Sequence, residues 1–334
     1  MAPLKILSLD GGTRPLITCH LLRRLLDHQP GLLEDVDVFA GTSAGAVTSA
    51  IIGVSDTVRE GVERSIAFWQ LWHPFEGAGP FSPRTLSAMS GLSAFLTHEK
   101  LYQHLRSLLG EVRLRDVRRR LLMPAVAVDN KVELKEYRHW SIEIHHNLGA
   151  QDLPVSPLLA DIALHSSSIP VLHPVFQGRV DGGLYANNPS MCALTMAMDF
   201  LAADIATTMI LSVGQGQANS YMALPGGDVG YGGWLLNMER PLALIKLVME
   251  ANLQATTYQA SRILEDRFVR LDPFLATDLE PEATVPPEVF NQRQEEMAEQ
   301  ADIGAALAQL EEISWIAAQG AAEAVPSGTG QLGS

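Results

Sequence analysis

Ser43 stands in GTSAG, residues 41–45, between the apolar run VDVFA (36–40) and a small-residue stretch with helical spacing. A serine flanked by small residues at a tight strand-to-helix turn keeps its hydroxyl exposed. The helix N-terminus beside it favours the negative charge that nucleophilic attack creates. A second candidate is Asp181 in VDGGLYANNP (180–189), which ends the run PVFQGRV. Its carboxylate then belongs at the carboxyl end of a strand, where sites of open α/β sheets collect, although a plain Asp-Gly turn has the same spacing. A third stretch, DGGTRPLIT (10–18), joins a strand, two glycines and a helix start, a combination that presents backbone N–H groups to an anion. Pro15 lacks an N–H but suits the first helical turn, whose N–H groups have no intrahelical partner.

A serine nucleophile needs a base. All ten histidines lie at or before His173, so none follows Asp181, and the order Ser, Asp, His of an α/β-hydrolase is not met. His165 and His173 flank SSSIP and read as packed or surface side chains. His145 and His146 are too few to bind a metal, and no His/Cys cluster has ligand spacing, so neither metal nor cofactor is expected.

The elements that must position these residues are visible as alternating patterns. KILSLD (5–10), LITCHLLRRLLDH (16–28), VDVFA and AVTSAIIGVS (46–55) read strand, helix, strand, helix, and further strands are expected at 121–128, 174–180 and 209–213. This predicts a mostly parallel sheet over about residues 1–215. Residues 73–96, rich in Gly, Pro, Ser and aromatics, read as a lid or insertion, with Trp72, Phe75, Phe81 and Phe95 as an acyl-binding wall or ordinary core. The Gly-rich stretch at 224–234 separates the sheet from a helical C-terminal part. That divides the chain into a core at 1–216, a helical part at 217–325 and a disordered tail at 326–334.

With 47% hydrophobic and 19% charged residues the chain matches an ordinary α/β protein. A net charge of −14 argues against a nucleic-acid partner and against simple docking on anionic membranes. The basic segment RLRDVRRR (113–120) reads as a solvated face or pre-strand loop, with a headgroup or nucleotide site as the sharper alternative. Cys19 and Cys192 read as buried thiols of a reducing compartment. Neither a signal peptide nor a membrane span is apparent, which points to a cytoplasmic or peripheral protein of undetermined oligomeric state.

DGGTR (10–14), GTSAG (41–45) and DGGLYANNP (181–189), in this order, resemble the three signature blocks of the patatin-like phospholipase family. SSSIPVLHPVF (166–176) and ILSVGQG (210–216) resemble the segments that flank its aspartate block. The resemblance implies a three-layer α/β/α fold and a Ser43–Asp181 dyad acting through an acyl-enzyme. It further implies an oxyanion hole from the backbone of Gly11, Gly12 and Thr13, with Arg14 either fixing the loop or meeting an anionic substrate group. The family's first block usually reads Asp-Gly-Gly-Gly-x-Arg-Gly. Aligning Arg14 with the family arginine leaves one Gly missing and puts Pro15 on the last Gly, whereas a gapless alignment places Thr13 on the third Gly. The function implied is a lipid acyl hydrolase of phospholipase A or lipase type, acting on a lipid or acyl ester with transient contact to a membrane surface. An acyltransferase or thioesterase acting on a soluble acyl thioester, and a non-catalytic binding protein, are the alternatives.

Overall fold

In a computed structural model of the chain the structure describes residues 3–72, 82–129, 138–149, 156–217, 221, 227–235, 242–275 and 285–316. The elements run β1 (Lys5–Leu9), α1 (Pro15–His28), β2 (Val38–Gly41), α2 (Ala44–Gly53), α3 (Val58–Leu71), α4 (Pro83–Met89) and α5 (Glu99–Leu109). There follow β3 (Arg120–Ala127), β4 (Ser141–His146), α6 (Leu159–Ser166), β5 (Arg179–Asp181), α7 (Gly183–Ala186), α8 (Ser190–Leu201) and β6 (Met209–Val213). The chain continues through α9 (Tyr231–Leu235), α10 (Ala243–Leu264), β7 (Phe268–Leu271), α11 (Pro287–Gln300) and α12 (Gly304–Glu312).

The strands form one sheet in the order β4-β3-β2-β1-β6-β7, with β5 added to β3. The contacts β1–β2, β1–β6, β2–β3 and β6–β7 are parallel, and β4 and β5 run antiparallel to β3. Period-two alternation sorts the strand residues into two cores. Leu7, Leu9, Phe39, Leu211 and Val213 pack with α1, α2, α3, α6 and α11 on one face. Ile6, Val38, Ala40, Ile210 and Phe268 pack with α8 and α10 on the other. The result is three layers, α/β/α. Each fully buried Leu or Ile contributes about 1.5–3 kcal/mol relative to exposure, so the alternation pins the register.

β1 has β2 on one side and β6 on the other, so the strand order reverses there. The carboxyl ends of these three strands carry the Asp10–Arg14 loop, Ser43 and the Gly214–Gly216 turn, the place where open α/β sheets bind ligands. Pro15 opens α1 at its first position, as the sequence leads one to expect.

Three features depart from the sequence reading. The run at 174–180 is a strand only from Arg179, because Gln177 (φ 49°) and Gly178 (φ 78°) form a two-residue turn closed by hydrogen bonds between Phe176 and Arg179. β4 was not expected. The sheet also does not end at β6: β7, from the part expected to be helical, adds a parallel strand with Ile210 opposite Phe268. Two of the five arginines of 113–120 brace backbone, with Arg119 donating to the carbonyls of Ile52, Ser55 and Asp56 and Arg113 to that of Ser156, while Arg115 and Arg120 face Asp116 and Asp37. Cys19 and Cys192 are free thiols. Among the described residues no helix is long and apolar enough to cross a membrane. Phe75, Phe81 and the tail at 326–334 lie outside the described residues.

Candidate active site

Ser43 sits between β2 and α2 with φ 54° and ψ −120°, a left-handed conformation that costs a non-glycine residue on the order of 1–3 kcal/mol. The surroundings hold it there. Its N–H donates to Ser166 Oγ at 3.0 Å, Gly45 N–H donates to the Thr42 carbonyl at 2.8 Å, and Thr42 Oγ1 donates to the Ala186 carbonyl at 2.6 Å. The motif glycines answer to close approach: a Cβ on Gly45 would lie 2.3 Å from the Leu9 carbonyl oxygen.

Asp181 ends β5 opposite Ala125 of β3 and is fully buried. Its Oδ2 accepts a hydrogen bond from Ser43 Oγ at 2.8 Å, and Oδ1 accepts one from Gly183 N–H at 2.7 Å. Burial pushes its pKa up to about 7, against the pull of those two hydrogen bonds. SSSIP positions both partners: besides Ser166, the Ser168 carbonyl accepts Asp181 N–H at 3.0 Å. Among the described residues no histidine hydrogen-bonds to Ser43 or Asp181. His165 faces His145 Nε2 at 3.3 Å and Gln177 Oε1 at 3.0 Å, whereas His173 lines the pocket in front of Ser43.

The glycine loop lies beside the serine, since a Cβ on Gly11 would come within 3.1 Å of Ser43 Cβ. One expectation is corrected here: Gly11 N–H donates to the Asn187 carbonyl at 2.9 Å and is not free to meet an anion. Gly12 and Thr13 N–H groups meet no acceptor among the described residues, and the same holds for Ala44 N–H at the start of α2. All three residues line the pocket. Arg14 gives its N–H to Gln215 Oε1 at 2.6 Å, Nε to the Gln215 carbonyl at 3.1 Å and Nη2 to the Gly216 carbonyl at 2.7 Å. These contacts fix the loop, the first of its two expected roles. Gly12, at φ 151°, passes so close to Gln215 that a Cβ would lie 2.6 Å from Oε1.

Trp69, Trp72, Leu96, Leu101, Ile169 and Leu172 give the pocket an apolar wall. Trp72 was expected in it. Phe95 is not part of the lining, while its neighbour Leu96 is held by hydrogen bonds to the Leu172 carbonyl and from Arg84. Burial pushes the pKa of His173 down to about 4, with His98 adding to the effect, so its ring is neutral near pH 7. Among the described residues no group of three or more His, Cys, Asp or Glu side chains is placed to hold a metal.

A nucleophile elbow, a carboxylate in hydrogen-bond contact with it and a glycine loop beside both can now be set against known proteins. The family model described as Patatin-like phospholipase matches residues 7–194. The chain belongs to the patatin-like phospholipase family. CotR of Bacillus subtilis (strain 168), provisionally named a sporulation hydrolase, is 24% identical over 319 residues, covering 87% of this chain and 93% of CotR. Patatin-like protein 1 of Arabidopsis thaliana is 25% identical over 314 residues, covering 80% of this chain and 73% of the plant protein. The crystal structure of VipD from Legionella pneumophila gives a distant likeness, with TM-score 0.40 and 11% identity over 90% of this chain and 67% of VipD.

Two supports of the patatin-like site lie past the matched span: Gln215, inside the ILSVGQG segment though not singled out there, and Asn252, which no motif announces. Gln215 holds the glycine loop, donating from Nε2 to the Asp10 carbonyl at 3.2 Å besides accepting from Arg14. Asn252 of α10 accepts Asn187 N–H at 2.8 Å and donates to the Gly183 carbonyl at 2.8 Å, clamping the segment that follows Asp181. The paired ANNP signal marks Asn187 and Asn188, but nothing in α10 marks their partner.

Proposed function

We propose that this patatin-like protein is a lipid acyl hydrolase that cleaves fatty-acyl esters through Ser43 and Asp181. The observation carrying the proposal is the 2.8 Å hydrogen bond from Ser43 Oγ to a buried Asp181 carboxylate at the foot of an apolar pocket. Ser43 Oγ attacks the ester carbonyl while its proton passes to Asp181 Oδ2. The tetrahedral oxyanion is stabilised by the N–H groups of Gly12 and Thr13, with Ala44 N–H as a third donor at the helix start. Collapse breaks the bond to the leaving alkoxide, which takes the proton from Asp181, and leaves Ser43 acylated. Asp181 then takes a proton from water, the hydroxyl attacks the acyl carbonyl, and Ser43 regains its proton as the fatty acid departs.

A lipid substrate is supported by the apolar pocket wall and by exposed apolar side chains on elements that carry it or are tied to it. Leu71, Leu86, Met89 and Leu92 are exposed; Leu71 precedes the lining residue Trp72 in the chain, and α4, which carries Leu86 and Met89, is tied to the lining residue Leu96 through Arg84. Exposed apolar side chains on elements that supply the pocket wall or are tied to it suit transient contact with a lipid surface.

The test is product profiling of mixed phospholipid and galactolipid vesicles incubated with wild type and with Ser43→Ala, alongside a fluorophosphonate probe and an acyl thioester. Release of free fatty acid by wild type alone is expected. Turnover of the thioester with untouched vesicles would replace the lipid reading by a thioesterase or acyltransferase, and absence of both turnover and labelling would leave a binding protein.

A further inference from the structure

Asp10, the residue before the glycine loop, is buried, and its Oδ2 lies 2.6 Å from Arg270 Nη2 of β7. Among the described residues Arg270 is the one cation that contacts it, and Asp10 Oδ1 has no hydrogen-bond partner there. The same Nη2 meets Asp272 Oδ2 at 2.8 Å, while Nη1 donates to Ser212 Oγ at 2.8 Å. From this guanidinium two arms reach the site. Asp272 Oδ1 accepts Gly216 N–H at 2.9 Å, and the Gly216 carbonyl accepts Arg14 Nη2 at 2.7 Å. Ser212 Oγ accepts from Asn188 Nδ2 at 3.2 Å, and Asn188 Oδ1 accepts Ser190 N–H at 2.9 Å, which fixes the end of the aspartate block. One side chain thus connects both ends of the Asp10–Arg14 loop with the segment after Asp181.

We propose that Arg270 is a positioning residue of the hydrolytic reaction: by holding Asp10 and the Asp272–Gly216–Arg14 arm it keeps the Gly12 and Thr13 N–H groups aimed at the oxyanion. The inference rests on the acyl hydrolase reading above. The planar fork of a guanidinium serves Asp10, Asp272 and Ser212 in fixed directions, which a lysine ammonium cannot reproduce. A buried ion pair adds little net stability over a well-packed apolar replacement, so its distinctive contribution here is geometry.

The experiment compares wild type, Arg270→Lys, Asp10→Asn and the double variant on a soluble short-chain p-nitrophenyl ester, with active sites titrated to completion by a fluorophosphonate. Turnover per titrated site is the readout, because loss of folded protein lowers the number of sites and leaves the turnover of the survivors alone. Each single variant is expected to lose about 10²-fold in kcat per site with KM little changed, the loss that a displacement of roughly 1 Å brings. The double variant is expected to be no worse than either single one, since both break the same contact. Wild-type turnover per site in Arg270→Lys, or in Asp10→Asn should the first not fold, would overturn the proposal, and so would losses that multiply in the double variant. Inactive wild type would remove the hydrolase reading and this one with it, whereas active wild type with unchanged variants would remove this one alone.

Discussion

Ser43 Oγ and Asp181 Oδ2 lie 2.8 Å apart, and the aspartate's other oxygen is held by Gly183 N–H at 2.7 Å. The pair is therefore oriented from both ends without an intervening imidazole. A carboxylate at its ordinary pKa is a poor base for a serine hydroxyl, and burial that brings Asp181 up to about 7 narrows the mismatch.

Replacing either partner separates chemistry from folding. Ser43→Ala is expected to abolish ester turnover and fluorophosphonate labelling, and Asp181→Asn to lower kcat by about 10⁴-fold. The asparagine variant should nevertheless fold well, since it removes a charge that burial disfavours. Asp181 keeps its proton in the folded state up to about 7 but releases it near 3.8 when unfolded, so its contribution to stability is full below that lower value and is lost as pH rises through 7. Thermal melts across this range should fall less steeply with pH in Asp181→Asn than in wild type. Identical slopes would show that Asp181 does not titrate near neutrality.

Activity should rise with pH along an acid limb near 7, set by Asp181 and also by Asp10, whose own burial likewise pushes it up to about 7. Asp181 must be ionised to accept a proton, which places the midpoint of kcat/KM on a soluble ester near 7. Burial holds His98, His145 and His173 down at about 4, so these histidines do not supply such a limb. A midpoint between 4 and 5 would contradict the burial argument, because about 4 is the ordinary carboxylate value.

Legibility in the sequence followed distance along the chain. GTSAG and the strand before it place Ser43 correctly because the elbow's requirements are local: a left-handed turn, and glycines where Gly41 and Gly45 meet neighbouring backbone. β6 was readable in full at Met209–Val213, a run buried on both faces. Gly11 was misread as a donor because its hydrogen bond goes to Asn187, a partner on a distant segment that no local pattern reveals. β7 has only four residues, Phe268–Leu271, and lies among helices, so it gives no periodic signal. Arg270 and Asn252 were hidden for the same reason: each acts on the site only once α10 and β7 have packed against it.

Asn252 makes this concrete. Its side chain bridges Asn187 N–H and the Gly183 carbonyl, and it also donates to the Val248 carbonyl in its own helix at 3.0 Å. Asn252→Ala strands the first two groups and should cost about 1–3 kcal/mol in urea denaturation. It should also lower kcat, since Gly183 N–H orients Asp181. A variant destabilised by that amount but with unchanged kcat would confine Asn252 to the fold.

The short glycine loop yields the last prediction. Inserting a glycine after Gly12 and replacing Pro15 by glycine would bring the loop to the family's usual length. In this chain, however, Arg14 N–H already reaches Gln215 Oε1 at 2.6 Å, and Pro15 sits at the first position of α1. An extra residue adds up to about 3.8 Å of chain at a point where both ends are anchored. Loss of Pro15 by itself raises the entropy of the unfolded chain, worth about 0.4–1 kcal/mol. Turnover of a soluble ester should therefore fall in the lengthened variant, with Pro15→Gly alone affecting stability more than rate. A lengthened loop that turns over faster than wild type would mean the opposite: that the shortened loop impairs the oxyanion donors, and that the anchoring by Gln215 compensates only in part.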